Sequence, residues 1–473
     1  MPKGKLLQSI VWVITAIVAY SACAESMTEK ERRVMNEKWD KRSLYKQKGM
    51  VKDCDAAFIT IPKGMKKEWI KGVSIATTSP TIEFAPVRDI DPMYFPEDNK
   101  HYWSNWADVT RAPNGRLYFA EGDHRTKDSR VYVWEYDPLA GNYHRVIDFA
   151  EVCGWKERGF GDSKIHGDMG VMPDGTLWVL TYWDPMPRPT PEQTEAWPGS
   201  NLVRYDTNTG HAENLGIPMV KASWPYYTLD RDRGILFAVG SKGEILSYDV
   251  NRQRTMFAGY PPPGITWFNR CTMLDPDTGL FWSCEKDSTN CFLSFNPQTN
   301  EFVKYKESTP DELGLHKGIW REGKMRATSH KRSGDGSFWV NSGNGTLYKF
   351  WPDTRKTEVI THLWADHTYV PRFAMTEDGT YIYYVPNLVQ TYSYYQPVVQ
   401  FNTQTYERKV IAFIADYYFE KYGYYIGGAH GIEISEDGSM LVINFNGAFS
   451  PRVEPFYGNP VLMVVHIPES ERP

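Results

Sequence analysis

Histidine, tyrosine, cysteine and basic residues stand at matching distances from glycines that recur along this chain. Eight or nine positions before such a glycine stand His166, Tyr226, Cys271 and His430. Five to nine positions after one stand His124, Tyr182, Lys242 and Cys284. The connections between these positions carry Trp224, Arg270, His316 and Arg372. Imidazole and phenol groups exchange protons, and lysine and arginine bind anions, so this set predicts acid–base chemistry on an anionic ligand.

The recurring glycines mark tight turns. Each follows an Asp or Asn by one or two residues and precedes an apolar run that is typical of a β-strand. They are Gly115, Gly175, Gly234, Gly279, Gly336, Gly379 and Gly438. Successive glycines lie 43 to 60 residues apart, a period that is typical of β-propellers, whose four-stranded sheets are arranged radially. The sequence therefore predicts an all-β fold, a seven-bladed β-propeller over residues 101–473.

A propeller brings the candidate residues to one place. Each inner strand runs away from the face that carries function, and the second strand returns to that face. Residues before and after the turn glycines are therefore expected to meet at the mouth of the central channel. This places His124 and His166 on neighbouring blades, with Tyr182 and Tyr226 beside them.

A second signature marks the outer half of the blades. An aromatic residue followed by Asp or Asn predicts the hairpin between the third and the outermost strand. Such aromatic residues are Tyr136, Tyr205, Tyr248, Phe295 and Phe401. The last repeat supplies only a third strand, residues 460–467, so its outer strand must come from elsewhere. Residues 81–85 are the candidate, because pairing both ends of the ring in one sheet removes an exposed edge.

The first residues predict the compartment. Lys3 and Lys5 precede the apolar run 6–20 and the small residues 21–24, the pattern of a secretory signal in residues 1–24. A membrane anchor needs about 20 apolar residues and a lipoprotein signal does not favour Tyr20 near its cysteine, so both alternatives are weaker. The mature protein is expected to be secreted or periplasmic, without a membrane span. Residues 25–100 form an N-terminal segment with a short amphipathic helix and the closing strand.

The net charge of −5 and the lack of a Lys/Arg-rich block argue against nucleic acid as a partner. An anionic substrate must therefore bind through a local basic pocket. We expect the chain to be a monomer.

Three cysteines come from successive strands of the fourth predicted blade. The two turns of that blade place Cys271, Cys284 and Cys291 side by side. Two interpretations stay open, a disulfide in an oxidising compartment or a structural zinc ion with His316 as the fourth ligand. A closed set of this kind leaves no open coordination position, so no cofactor is expected for catalysis. Cys54 and Cys153 are candidates for a separate disulfide.

The chemistry that suits this mouth without a redox cofactor is β-elimination of a uronic acid. It needs a cation to neutralise the carboxylate, a base to take the C5 proton and an acid to protonate the leaving O4. Histidine, tyrosine and lysine or arginine supply these groups, and aromatic faces suit sugar rings.

In this layout the chain resembles secreted seven-bladed propeller polysaccharide lyases, in particular the ulvan lyases of marine bacteria. The resemblance covers about residues 100–470 and rests on length, signal, blade count and a few positions. In that family, histidine and tyrosine at inner-strand starts carry the elimination, and a basic residue at a second-strand end neutralises the uronate. The resemblance implies these roles for His166, Tyr226 and Lys242. Arginine is the family's residue at the third position, so Arg270 or Arg125 is a candidate to replace Lys242.

The resemblance has further implications. The family's second histidine falls near Tyr182 and Trp183, and His124 is the candidate to replace it. The implied substrate is a sulfated, uronate-containing algal polysaccharide, cut between rhamnose 3-sulfate and the uronic acid. Implied sugar or carboxylate contacts come from Tyr182, Trp224, Arg270, Arg125, Arg372 and His430. Some members hold a structural zinc near the site, which is consistent with the cysteine trio.

Two other functions stay open from the sequence. A calcium-dependent lactonase-type propeller would need an open site of Glu, Asn and Asp, for which Glu285, Asn387 and Asn446 are the candidates. A non-catalytic propeller that binds glycan or protein is the third reading, since the fold alone does not decide function.

Overall fold

The computed structural model of this protein describes residues 50–86, 104–123, 130–155, 160–185, 188–286, 291–305, 324–364, 368–387, 396–448 and 459–472. The predicted signal and nearly all of the predicted amphipathic helix lie outside these ranges. Of the helices within them, none combines the length and the apolar character that crossing a membrane requires.

Seven sheets form a ring, and each is built on four antiparallel strands that follow one another from the channel outward. Three strands precede the first blade: β1 (Val51–Cys54), β2 (Val73–Ile75) and β3 (Thr81–Pro86). The first three blades contain β4 (Thr110–Arg111), β5 (Leu117–Asp123), β6 (Arg130–Asp137) and β7 (Asn142–Asp148); β8 (Gly170–Val171), β9 (Thr176–Leu180), β10 (Leu202–Asp206) and β11 (His211–Asn214); and β12 (Tyr226–Asp230), β13 (Ile235–Val239), β14 (Ile245–Asp249) and β15 (Arg254–Gly259).

The remaining blades follow in the same order. They contain β16 (Met273–Asp275), β17 (Leu280–Cys284), β18 (Phe292–Asn296) and β19 (Glu301–Tyr305); β20 (Met325–Thr328), β21 (Phe338–Ser342), β22 (Thr346–Trp351) and β23 (Lys356–His362); β24 (Phe373–Met375), β25 (Tyr381–Tyr384), β26 (Pro397–Asn402) and β27 (Arg408–Phe413); and β28 (Tyr425–Ile434), β29 (Met440–Ala448) and β30 (Val461–His466). The α-helices within the described ranges are short: α1 (Phe149–Val152), α2 (Pro191–Ala196) and α3 (Ala415–Tyr422).

The turn glycines lie between the inner and second strands of their blades, as predicted. All seven have positive φ angles, from 65° at Gly234 to 88° at Gly175. A side chain with a Cβ atom is strained in this region, so glycine is what lets these turns close. Each inner strand therefore begins at the face opposite the glycine turns, which we call the upper face.

The ring closes through the N-terminal segment. Strand β3 pairs antiparallel with β30, from Thr81 opposite His466 to Pro86 opposite Val461. This is the closing strand expected from residues 81–85. Two further strands were not predicted: β1 adds to β3, and β2 adds parallel to β27 of the sixth blade. Both cover sheet edges that would otherwise expose unpaired backbone groups.

Buried carboxylates fasten this closure. Oε1 of Glu83 on β3 lies 3.0 Å from Nε2 of His466 and 2.6 Å from Nζ of Lys52. The hydrogen bond from His466 is the largest cause that lowers the pKa of Glu83, from 4.5 to about 2. Near the C-terminus, the Glu471 carboxylate accepts from the Thr77 amide at 2.6 Å and from Lys409 at 2.9 Å. The two ends of the chain are thus joined by side chains as well as by a strand pair.

Candidate functional site

Backbone pairing extends the inner part of two neighbouring blades toward the upper face. Ser104 bridges to Gly122 on the first blade, and Lys164 bridges to Tyr182 on the second. Trp106 and His166 each lie two positions after the bridged residue, so they occupy equivalent places on adjacent blades. Their rings are nearly parallel, with centroids 6.0 Å apart and 7° between the planes.

The packing of neighbouring blades requires a residue without a side chain at Gly167, next to His166. A Cβ atom at Gly167 would lie 2.2 Å from the Tyr227 ring of the third blade. The close approach that glycine permits here is to the next blade, which fixes the segment that carries His166.

His166 is a neutral imidazole beside a guanidinium. Its side chain is buried, with 6% of its surface exposed. Nε2 of His166 lies 3.2 Å from Nη1 of Arg270. Arginine carries only donors, so Nε2 accepts and the ring proton resides on Nδ1. Burial, the largest cause, and the charges of Arg270 and Lys164 lower the pKa of His166 well below its ordinary value.

A second guanidinium holds Arg270 in place. Arg326 of the fifth blade is 4% exposed, and its Nη1 donates to the carbonyl oxygen of Arg270 at 3.3 Å. Its Nε donates to the hydroxyl of Tyr369 at 2.6 Å. The main chain of Arg270 is therefore held by Arg326, which is itself held by Tyr369.

Tyr182 and Lys164 complete the surroundings of His166. The Tyr182 ring meets the His166 ring edge-on, with centroids 6.2 Å apart and an angle of 88°. Nζ of Lys164 lies 5.0 Å from the Tyr182 ring and 4.8 Å from the Trp106 ring, and it forms a 2.7 Å salt bridge with Asp184. Burial raises the pKa of Tyr182 to about 12, although Arg270 acts in the opposite direction. Tyr182 is thus a protonated phenol next to a neutral imidazole.

These residues, Trp106, Lys164, His166, Tyr182, Arg270 and Arg326, form what we call the upper mouth. The ring of His430, at 9% exposure, lies 4.7 Å from the Trp106 ring and belongs to the same group. The sequence analysis did not identify Trp106, Lys164 and Arg326 as site residues. The signal for Trp106 was its repeat position, which is equivalent to that of His166.

A charged belt lies below the upper mouth. It consists of Asp108, Asp168, Tyr226 and Arg372. Arg372, 7% exposed, bonds Asp168 at 2.6 Å and Asp108 at 3.2 Å, and its guanidinium lies 5.4 Å from the Tyr226 ring centroid. Burial by itself would lower the pKa of Arg372. The nearby charges of Asp168 and the other belt groups have the larger combined effect, and the pKa of Arg372 is raised. Burial, against the effect of Arg372, raises the pKa of Asp108.

Tyr226 is part of this belt. Its hydroxyl donates to Oδ2 of Asp168 at 2.5 Å and lies 3.3 Å from the carbonyl oxygen of Thr272. Burial, with Asp168, raises the pKa of Tyr226 well above its ordinary value. The structure therefore places Tyr226 and Arg372 together in the belt.

Beneath the belt, the channel holds a cavity of about 370 Å³. Asp108 and Asp168 line its upper end, and the lower ends of the inner strands line the rest, including Arg231, His330 and Glu433. Two carboxylates of the belt thus belong to the wall of this cavity.

The other predicted site residues are placed as follows. The Trp224 ring has no exposed surface and belongs to the core between blades. It is therefore not accessible to a sugar, contrary to the expectation from the sequence. Lys242 is exposed in the turn between β13 and β14, where its amide donates to Glu244 at 2.8 Å. His124, Arg125 and His316 lie outside the described residues.

The cysteine trio is not arranged as predicted. Cys271, two residues before β16, and Cys284, at the end of β17, belong to one core cluster. Cys284 is paired with Phe292, however, and the amide of Glu285 bonds the carbonyl oxygen of Cys291 at 3.0 Å. This register turns Cys291 toward the other face of the sheet, because side chains alternate along a strand.

Among the residues that the structure describes, no group of three or more His, Cys, Asp or Glu side chains could hold a metal ion. No disulfide joins any two of the cysteines that the structure describes. Cys54 instead donates to the carbonyl oxygen of Ser79 at 4.0 Å, so the expected bond to Cys153 is not formed. The zinc site with His316 stays a prediction.

The candidates for a calcium-type site are each engaged by other protein groups. Glu285 forms a 2.6 Å salt bridge with Lys304, and Asn387 accepts from the Ala429 amide at 3.0 Å. Asn446 accepts from the amide of Asn105 at 2.7 Å. These contacts tie the three side chains to different neighbours.

No protein-family model and no curated protein matches this chain. Among solved structures, it is similar to a chain in "Crystal Structure of Mitotic Checkpoint Complex", with 8% sequence identity and a TM-score of 0.49. The match covers 86% of this chain and 95% of that chain. At this identity and score the likeness carries no argument about function. The sheet topology of the chain itself establishes the seven-bladed β-propeller.

Proposed function

We propose that this β-propeller is a polysaccharide lyase that cleaves a uronate-containing polysaccharide by β-elimination. The observation that supports the proposal most is the 3.2 Å contact between the neutral imidazole of His166 and the guanidinium of Arg270. It brings a base and a carboxylate-binding cation together, beside the protonated phenol of Tyr182. These are the three groups that the reaction requires.

Arg270 is the group that binds the uronate carboxylate. A guanidinium matches a carboxylate with two parallel hydrogen bonds, and Arg326 fixes its main chain from the next blade. When the substrate carboxylate takes over the guanidinium, Nε2 of His166 loses its donor. Its lone pair then becomes available at the moment that the C5 proton is made acidic.

His166 is the base and Tyr182 is the acid. Nε2 of His166 takes the C5 proton, the C4–C5 double bond forms, and the C4–O4 bond breaks. The Tyr182 hydroxyl gives its proton to O4, and transfer of a proton from the imidazolium to the phenolate restores both groups. Arg270 stabilises the negative charge that develops on the carboxylate.

In two roles, this assignment differs from the residues that the family resemblance implies, namely the catalytic tyrosine and the neutralising cation. Tyr226 gives its hydroxyl to Asp168 in the belt, so Tyr182 takes the tyrosine role. Lys242 is replaced by Arg270 as the neutralising cation, because Arg270 contacts His166 directly.

The test is the ultraviolet absorbance of unsaturated uronates, followed with purified protein on ulvan, alginate, pectate and hyaluronan. Ulvan comes first because of the family resemblance. A rise on one polymer that is lost in Arg270→Met supports the proposal. No rise on any of them contradicts it, and calcium-dependent lactone hydrolysis in the same protein would favour the lactonase alternative.

A further inference from the structure

A pair of stacked tryptophans includes the residue that follows Tyr182 of the upper mouth. Trp183 follows Tyr182 directly, and its ring stacks on the Trp197 ring with centroids 4.4 Å apart and 12° between the planes. Trp197 is 3% exposed, whereas Trp183 is only half-buried. One face of Trp183 is therefore covered by protein, and its exposed surface lies on the other face or the ring edge.

Trp197 is a fixed support. Its Nε1 donates to Oδ1 of Asp162 at 2.8 Å, and Asp162 has no exposed surface. The other oxygen of Asp162 accepts a hydrogen bond from Thr181, which immediately precedes Tyr182. Trp197 and the segment after β9 that carries Tyr182 and Trp183 are thus tied to the same buried carboxylate.

The main chain of Trp183 is fixed from the third blade. Its amide donates to Oγ of Ser223 at 2.8 Å, and that hydroxyl donates back to the carbonyl oxygen of Trp183 at 3.1 Å. The amide of Asp184 donates to Oγ of Ser163 at 2.9 Å. Because the backbone and the stacked ring are both held, Trp183 presents a preorganised aromatic surface, which lowers the entropy lost on binding.

The residues on either side of Trp183 define what that surface suits. Tyr182 reaches the reacting centre, and Asp184 pairs with Lys164 at 2.7 Å while its own side chain is 44% exposed. The pair contributes no net charge, and the exposed carboxylate can accept hydrogen bonds from sugar hydroxyls. The C–H face of a pyranose ring suits an aromatic face.

We propose that Trp183, supported by Trp197, binds the C–H face of the pyranose unit next to the uronate held by Arg270. This subsite rests on the proposed lyase function. It gives the protein a higher affinity for a polysaccharide chain than for a single uronate.

The test compares Trp183→Ala and Trp183→Phe with a matched control, Trp351→Ala. Trp351 is also half-buried, but it lies on the fifth blade, where its Nε1 donates to the carbonyl oxygen of Asp335. We expect Trp183→Ala to raise KM for the cleaved polymer about tenfold with kcat nearly unchanged, as loss of one stacking contact would. Inhibition by the monosaccharide D-glucuronate should not change. Trp183→Phe should keep most of the affinity, and Trp351→Ala should match the wild type.

An unchanged KM in Trp183→Ala overturns the subsite and leaves the lyase function standing. Equal losses in Trp183→Phe and Trp183→Ala also overturn it, because they would indicate disturbed packing and not stacking. If the wild type cleaves none of the four polymers, the lyase function fails and the subsite fails with it.

Discussion

The imidazole of His166 and the guanidinium of Arg270 meet at 3.2 Å although 104 residues separate them in the chain. One lies before the inner strand of the second blade and the other before that of the fourth. The contact exists because every inner strand begins at the same face of the ring. A positive group at this distance, in a buried setting, keeps the imidazole neutral.

The first prediction concerns His166 as the base. His166→Gln keeps a polar side chain of similar size but cannot take a proton, so we expect kcat to fall about 10²- to 10⁴-fold. The thermal midpoint should stay close to that of the wild type. Exposed His144 offers the control, and His144→Gln should retain full activity. Activity within a few-fold of wild type in His166→Gln would remove it from the base role.

The second prediction separates the two tyrosines. Tyr182→Phe removes the proposed acid, and we expect elimination to fall at least about 100-fold with little loss of stability. Tyr226→Phe removes a hydrogen bond to Asp168 in the belt, and we expect about 1–2 kcal/mol lower stability with measurable activity. Absorbance assays and denaturant unfolding of both variants check this. The opposite pattern would return the catalytic role to Tyr226.

The third prediction concerns the belt. Arg372→Met leaves the buried carboxylate of Asp108 and the half-buried carboxylate of Asp168 without their cation, and we expect the free energy of unfolding to fall by about 3–5 kcal/mol. Adding Asp108→Asn and Asp168→Asn to the same chain should recover part of the loss. Denaturant unfolding measures both. A loss below about 1 kcal/mol in the single variant would show that the belt contributes little to stability.

The fourth prediction is a pH dependence of stability at the ring closure. The folded pKa of Glu83, about 2, lies below its unfolded value of 4.5, so the unfolded chain binds the proton more readily. Its stabilisation is therefore complete above pH 4.5 and is lost as the pH falls toward 2. Glu83→Gln should lower stability by about 1–2 kcal/mol at neutral pH, and the gap to the wild type should narrow in acid.

The control for this prediction is Glu358→Gln on an outer strand, where the carboxylate is exposed. It should follow the wild type at every pH. A gap between wild type and Glu83→Gln that stays constant down to pH 2 would assign the effect to packing and not to ionisation.

The fifth prediction concerns the cysteines. Cys284 has no exposed surface, so Cys284→Ser places a hydroxyl in an apolar cluster and should lower stability by about 1–3 kcal/mol. Exposed Cys54 gives the control, and Cys54→Ser should be nearly neutral. Metal analysis of the wild-type protein accompanies both. One zinc per chain, lost in Cys284→Ser, would establish the predicted site with His316.

The sequence by itself determined the repeat architecture. Gly115 and its six counterparts mark turns that need a positive φ angle, and this is a local property of the backbone. The closing strand β3 could also be found, because an incomplete last repeat requires a partner with an apolar strand pattern. The position of His166 near the upper face follows from the same repeat.

Only the tertiary structure decided which side chains meet. The His166–Arg270 contact, the Trp106–His166 stack and the assignment of Tyr226 to the belt depend on how neighbouring blades are rotated and spaced. The side on which Cys291 points depends on a strand register that differs by one residue from the expected one. Such contacts join residues far apart in the chain, and no local pattern encodes them. The sequence repeat determines where the strands of each blade lie, and the packing of the blades around the channel determines which acid–base and charged side chains come into contact.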